Sequence, residues 1–382
     1  MAQGVATLGD AFQVMAVATL TYALTHSGLQ IGFQTVFSLV PYLVVAPLVG
    51  RLQRHGNPWL LMLAADLWRG GIVLLYPWCT HSWQIFALNA LWAAGGAVWE
   101  PARNSVLRLS VDRSDLLVAN SLGRTVGAVA NLLGPLAAGV VVAQRGTVAA
   151  FYINAASFLV SAVLLGCSWR HVQRGVSGRA RGLGLQGRFN GYPEITGLLR
   201  HNRRVREVIV STAVFTCAQA AVNIAFYPFM YRVLEAGPEG LGLVLSSYLG
   251  AHLLGAAVAA RFGQSGQGQA MFRLSLAASA AIWGAYGLAG NLPVVIALCV
   301  PDGVLAASVA IIAATVLQGE PKASQVGGLA GLAAGVNAVA QIAGTLLGGY
   351  LSDVLEGGLV FFVVAFGYAV LSLGSYYALG RS

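Results

Sequence analysis

The chain has 382 residues, of which 57% are hydrophobic and 9% charged, against roughly 25% charged in an ordinary soluble domain. Too little polar surface is present to cover a water-soluble fold of this size. The formal charge of +9 does not mark a nucleic-acid binder, because it is confined to gaps between apolar stretches, the usual signature of basic loops on one membrane face.

Stretches of roughly 20 apolar residues suffice to cross a hydrocarbon core of about 30 Å. They are predicted at 2–24, 29–50, 59–79, 84–102, 117–143, 147–169, 208–231, 240–260, 270–289, 293–316, 326–350 and 358–379. The first has no basic leader and no small-residue cleavage site, so it is expected to be a retained span rather than a signal peptide. Of the 22 basic residues, only Arg69 and Arg124 fall well inside spans, Arg273 sits at the inner end of one, and only Arg145 and Arg232 lie in the outer gaps; the others lie in alternate gaps. That asymmetry predicts cytoplasmic N- and C-termini in a bacterial inner membrane.

Ionisable residues inside a bilayer cost about 2.5–3.5 kcal/mol on insertion scales, so each needs a cavity, a partner or a proton path. Asp10 lies in span 1. Asp66 and Arg69, three apart in span 3, share a helix face, and an internal ion pair is expected, with gating as the alternative. Glu100 and Arg103 flank Pro101 at the inner end of span 4, where Arg103 can anchor at the interface or act as a gate. Asn120 and Arg124 open span 5, whose Gly123, Gly127, Ala130, Gly134 and Ala138 form a smooth stripe for close helix packing. Gln219 with Asn223 in span 7, and Asn337 with Gln341 in span 11, repeat a four-residue spacing that suits a ligand or interhelical hydrogen bonds equally. In span 10, Asp302 stands between Pro301 and Gly303, which are expected to break the helix toward a cavity.

Segment 170–206 is rich in Arg and Gly. Its part up to Gly191 reads as a loop, and Glu194 to Arg206 as a short amphipathic helix on the inner surface. Gly182-Leu183-Gly184-Leu185-Gln186-Gly187 fits a dinucleotide fingerprint but lacks the preceding strand. The only lysine, Lys322, is not in a phosphate loop, and neither a zinc-protease motif nor a nucleophile elbow occurs. Cys79, Cys167, Cys217 and Cys299 stand singly, without metal-ligand spacing. No enzyme activity, cofactor or metal is therefore expected.

The halves repeat at an offset of 210 residues. Val49-Gly50-Arg51 at the end of span 2 matches Ala259-Ala260-Arg261 at the end of span 8, and Leu133-Gly134 in span 5 matches Ala343-Gly344 in span 11. Repeated six-span halves are a common transporter plan. The predicted fold is all-α: twelve transmembrane helices in two six-helix bundles, 1–169 and 207–382, related by pseudo-two-fold symmetry and joined by the basic segment 170–206.

Several segments together resemble the major facilitator superfamily, in particular exporters of the macrolide-efflux and enterobactin-exporter kind. They are Gly9-Asp10, Ala65-Asp66-Leu67-Trp68-Arg69, Pro101-Ala102-Arg103-Asn104, Ala119-Asn120-Ser121-Leu122 and Leu133-Gly134-Pro135-Leu136-Ala137-Ala138-Gly139. The resemblance departs in two places. The acid expected four residues after Gly50 is Arg54, which removes the usual gate partner, and the last glycine pair of the span 5 motif is Ala138-Gly139.

The resemblance implies a central cavity lined by spans 1, 4, 7 and 10. Asp302, Asp10 and Glu100 would then handle protons, while Asn223, Gln219, Tyr227, Phe226, Trp99, Asn337 and Gln341 contact substrate. It implies a monomeric, proton-coupled exporter of a small amphipathic or hydrophobic molecule in the lipid bilayer, with no nucleic-acid partner. A lysophospholipid flippase of the same fold and a non-transporting membrane sensor are the alternatives.

Overall fold

The computed structural model describes residues 2–55, 57–111, 115–179, 202–262, 268–321 and 323–380. Among them there are no strands. The helices are α1 (Ala2–Thr25), α2 (Gly28–His55), α3 (Pro58–Val73) and α4 (Ser82–Ser110). Next comes Leu116–Arg179, which contains one non-helical residue, Gly146, with φ 77° and ψ 174°. Such a φ is open chiefly to glycine, and it divides the segment into α5 (116–145) and α6 (147–179). The second half contains α7 (Arg203–Pro228), α8 (Gly237–Phe262), α9 (Gly268–Tyr286), α10 (Leu292–Gly319), α11 (Ala323–Val354) and α12 (Leu359–Gly380). Twelve helices are thus present among the described residues, as the hydropathy pattern predicts. Among the described residues, seven apolar stretches have the length and composition of membrane crossings, one of them the 50-residue Val118–Cys167.

The helix ends follow local chemistry. Asn57 accepts from Trp59 N ahead of Pro58, which fills a position whose N–H has no helical acceptor. Asn202 and Asn291 cap α7 and α10 by accepting from Val205 N and Val294 N. At α4 the Gln84 side chain accepts from Thr80 N and His81 N instead. Pro228, which has no N–H to donate, ends α7, and the chain continues as a π-helical turn over Phe229–Val233.

Contacts divide the chain into two compact units. One holds α1, α2 from Phe33, α3 to α6, and Gly237–Ser246 of α8; the other holds Ser27–Gly32, α7, α8 from Ser247, and α9 to α12. In the first, α1 packs along α5; in the second, α7 packs along α11. Both pairs rely on missing side chains. Gly134 faces Ala11 and the Leu8 carbonyl, and Gly344 faces the Cys217 backbone.

The 210-residue register reappears in three dimensions. Gly139 lies against Pro238 O and Gly242, and Gly349 against Gly28 O and Leu29; Gly242 faces Pro135 O, and Gly32 faces Thr345 O. The N-cap positions His81 and Asn291 obey the same offset. Asp353 has no acidic counterpart at Ala143. Its carboxylate caps α2 by accepting from Gly28 N at 2.6 Å, Leu29 N at 3.1 Å and Ser27 Oγ, a favourable place for a negative charge.

Three expectations are corrected. The supposed loop after Arg170 is helical to Arg179. Arg203 to Arg206 belong to α7 rather than to a surface helix, with Val205 fully buried; the rest of the proposed amphipathic helix, and the glycine-rich 182–187, lie outside the described residues. Finally, α10 runs unbroken through Pro301, Asp302 and Gly303. Gly303 serves packing, because α8 crosses so closely that a Cβ there would meet Tyr248 O, Ala251 and His252 N.

Gly344→Ala is accordingly expected to destabilise the protein by about 1–3 kcal/mol, since the obstacle is backbone that cannot rotate away. Gly335→Ala, on the same helix with nothing within 4 Å, should be neutral or slightly stabilising. Thermal unfolding in detergent compares the two.

Candidate functional site

In the first unit, Arg69 Nη2 on α3 donates to Asp10 Oδ1 on α1 at 2.8 Å. The Arg69 side chain is 7% exposed and that of Asp10 30%. The guanidinium carbon lies 4.3 Å from the Trp92 ring centre and 4.6 Å from that of Phe158. The arginine charge is therefore met by one carboxylate and two aromatic faces, an effective arrangement where water is scarce, while its Nε has no hydrogen-bond partner.

Asp66 does not form the expected ion pair with Arg69. Its Oδ2 accepts from Ser161 Oγ of α6 at 2.7 Å, and the Trp99 indole of α4 is a further donor beside the carboxyl. A spacing of three puts both residues on one side of α3, but Asp66 turns to α6 and Arg69 reaches across to α1. The Arg69 charge acts on Asp66 only through space.

Tyr42 of α2 completes the cluster. Its hydroxyl lies against Gly96 of α4 and senses the charges of Arg69, Glu100 and Asp10. Glu100 is exposed on α4. Arg103 Nη1 donates to Asn104 Oδ1 at 3.2 Å and its Nη2 lies beside Gly123 of α5. Arg124 is exposed, and Asn120 is spent on the Leu116 carbonyl. Trp99, expected to face substrate, is buried among Trp59, Met62, Ala65, Ala102 and Leu165.

In the second unit, Asp302 is 1% exposed. Its Oδ1 accepts from Trp283 Nε1 at 3.0 Å and its Oδ2 from Tyr286 Oη at 3.2 Å, both from α9. Gln219 of α7 also reaches this carboxyl. Tyr286 Oη lies 3.5 Å from Cys299 Sγ as well, so one hydroxyl hydrogen is shared between two acceptors. Tyr248 of α8 is an electrostatic neighbour, and His252 of α8 contacts the Gly303 backbone. Among the described residues, no basic side chain pairs with Asp302.

Gln219 Nε2 donates to Asn223 Oδ1 at 3.4 Å, and Asn337 Oδ1 is buried and unpaired. Asn223 is exposed, whereas Tyr227, Asn337 and Gln341 are part-buried. Phe226, expected in the cavity, packs instead with ring centres 4.8 Å from Tyr286 and 5.2 Å from Phe361.

The repeat explains how this site arose. Tyr76 donates to Asn89 Oδ1 at 3.0 Å and stacks on Phe151 at 5.0 Å; 210 residues later, Tyr286 approaches Cys299 and Phe361. Asp302 falls at the counterpart of Trp92, and Ser279 at that of Arg69. The scaffold is repeated but its charges are not. Sequence reasoning missed Trp92, Phe158, Ser161, Trp283 and Tyr286, although the three-residue spacing of Trp283 and Tyr286 places two donors on one face of α9.

In a double-mutant cycle using thermal unfolding, Arg69 and Asp10 should couple by about 0.5–3 kcal/mol, and Arg69 and Asp66 by less. Substitutions to Gln and Asn keep the side chains near their native volumes.

Comparisons with known proteins agree with this architecture. A family model described as Major Facilitator Superfamily matches residues 1–220. The uncharacterized MFS-type transporter YfiS of Bacillus subtilis (strain 168) is 26% identical over 164 residues, which is 43% of this chain and 39% of that protein; the aligned stretch thus spans less than half of either. Among solved structures, the nucleoside transporter NupG superposes with a TM-score of 0.76 at 12% identity, covering 100% of this chain and 98% of that one. A bacterial homologue of the iron transporter ferroportin, in an inward-facing state, gives 0.75 at 12% identity, covering 100% and 96%. The whole-chain superpositions carry the fold, and the family match over more than half of the chain adds the lineage: this protein belongs to the Major Facilitator Superfamily and is an integral membrane protein.

Proposed function

We propose that the protein is a proton-coupled exporter of a small amphipathic or hydrophobic molecule, working by alternating access with both termini in the cytoplasm. The observation that carries the reading is Asp302, a fully buried acid held by the neutral donors Trp283 and Tyr286. An acid held only by neutral donors can gain and lose a proton without breaking an ion pair. Asp10 is tied to Arg69, so protonating it would cost that pair, and it serves better to hold the first bundle's charge cluster. Exposed Glu100 lies beside that cluster.

Export, rather than import, is supported by the Leu133-Gly134-Pro135 segment that resembles the exporter motif. At 12% identity the nucleoside and iron substrates of the structural neighbours do not transfer to this chain.

Asp302→Asn should keep substrate binding and lose uphill, pH-gradient-driven transport in proteoliposomes. Wild-type accumulation by this variant would make Asp302 structural. Cys299→Asn, which recreates the Tyr76–Asn89 pairing of the first half, should draw the Tyr286 hydroxyl off Asp302 and shift the pH dependence of transport while leaving substrate binding intact.

A further inference from the structure

Asp66 is a buried acid to which the export reading gives no task. It is 0% exposed on α3, and its neighbours Ala65 and Trp99 belong to an apolar cluster. Ser161 Oγ of α6 donates to its Oδ2 at 2.7 Å, and the Trp99 indole of α4 is a further donor beside it. Both donors are neutral, as are the Trp283 and Tyr286 donors of Asp302. The charges acting on Asp66 are Arg69 of its own helix and Asp10 of α1. Tyr42 of α2 and Glu100 of α4 are the further titratable groups at that cluster, and α6 contributes the Ser161 hydroxyl. One guanidinium therefore stands near two carboxylates, and its hydrogen bond goes to Asp10.

We infer that Asp66 is a proton-binding site of the first bundle, with its occupancy set by the Arg69–Asp10 pair. With both acids ionised, the three groups carry one net negative charge among packed helices, where an uncompensated ion is costly. One proton removes it. Arg69 keeps its own charge at any physiological pH, so the proton goes to the carboxyl that the guanidinium does not hold. The Ser161 hydroxyl suits both states, because it can donate to the carboxylate or accept from the protonated acid. The site differs from Asp302 in having a neighbouring cation: a change that frees Arg69 from Asp10 lets the guanidinium turn to Asp66 and release the proton to water. Neither Asp66 nor Arg69 has an ionisable counterpart 210 residues later, where Leu276 and Ser279 stand, so this link belongs to the first half alone. As a step in transport it rests on the proton-coupled reading above and makes the cycle a two-proton one; the proton binding itself does not depend on that reading.

The test uses the full-length protein reconstituted in liposomes, titrated from alkaline to acid pH and followed by infrared difference spectroscopy at the carbonyl stretch of protonated carboxyl groups. Asp302→Asn should leave a titrating carboxyl band that the double variant Asp302→Asn/Asp66→Asn lacks. Asp10→Asn, added to Asp302→Asn, should move the midpoint of that band to lower pH by about one unit or more, because an arginine freed for a carboxylate favours the ionised form. That variant keeps Asp66 in place, so it carries the test even if the Asp66 substitution does not fold. A band unchanged by Asp66→Asn, or a midpoint unmoved by Asp10→Asn, overturns the inference. Uphill export by Asp302→Asn would instead end the proton-coupled reading and leave these spectra as they are, which keeps the two failures apart.

Discussion

A charge placed inside an apolar helix bundle has to be met by something other than water, and the two halves of this protein meet that demand differently. In the first, the Arg69 guanidinium is enclosed by Asp10, Trp92 and Phe158. In the second, the Asp302 carboxyl is enclosed by hydrogen-bond donors without a counter-charge. Breaking a buried pair by removing one member costs several kcal/mol, so the first arrangement resists change. A carboxyl held by neutral groups is free to alter its protonation while its neighbours stay in place. That contrast is the physical basis for assigning the halves different tasks.

The contrast is built on a common scaffold. The Tyr76 and Tyr286 hydroxyls, their partners Asn89 and Cys299, and the rings Phe151 and Phe361 occupy equivalent positions. Replacing an amide by a thiol at one of these positions weakens the tyrosine's original bond, because sulfur is a poor acceptor. The hydroxyl is then left within reach of Asp302. A structural hydrogen bond of one half thereby becomes part of a polar site in the other.

Close helix approach makes such sites rigid. Where Gly134, Gly344 and Gly303 let one helix lie against another's backbone, no side chain remains to absorb a shift, and the polar groups carried by those helices keep their register. Gly303 is instructive because it adjoins Asp302: the glycine that invites a helix-break reading instead fixes the depth at which the acid is held against α8 and α9.

Composition, hydropathy spacing and the 210-residue offset were enough to establish a membrane-spanning, twelve-helix, duplicated fold, since span length is dictated by bilayer thickness and a repeat preserves its spacing wherever insertions are absent. The prominence of Asp10, Asp66, Arg69 and Asp302 was equally legible, because an ionisable group in an apolar run stands out by its cost. Their partners were not legible. Neighbours three apart on a helix share a face but diverge by tens of degrees, so the turn of Asp66 toward Ser161 and of Arg69 toward Asp10 was decided by which helices pack on either side of α3. The burial of Trp99 and Phe226 and the donors that hold Asp302 likewise join residues distant in sequence, and only tertiary packing brings such groups within hydrogen-bonding or van der Waals reach.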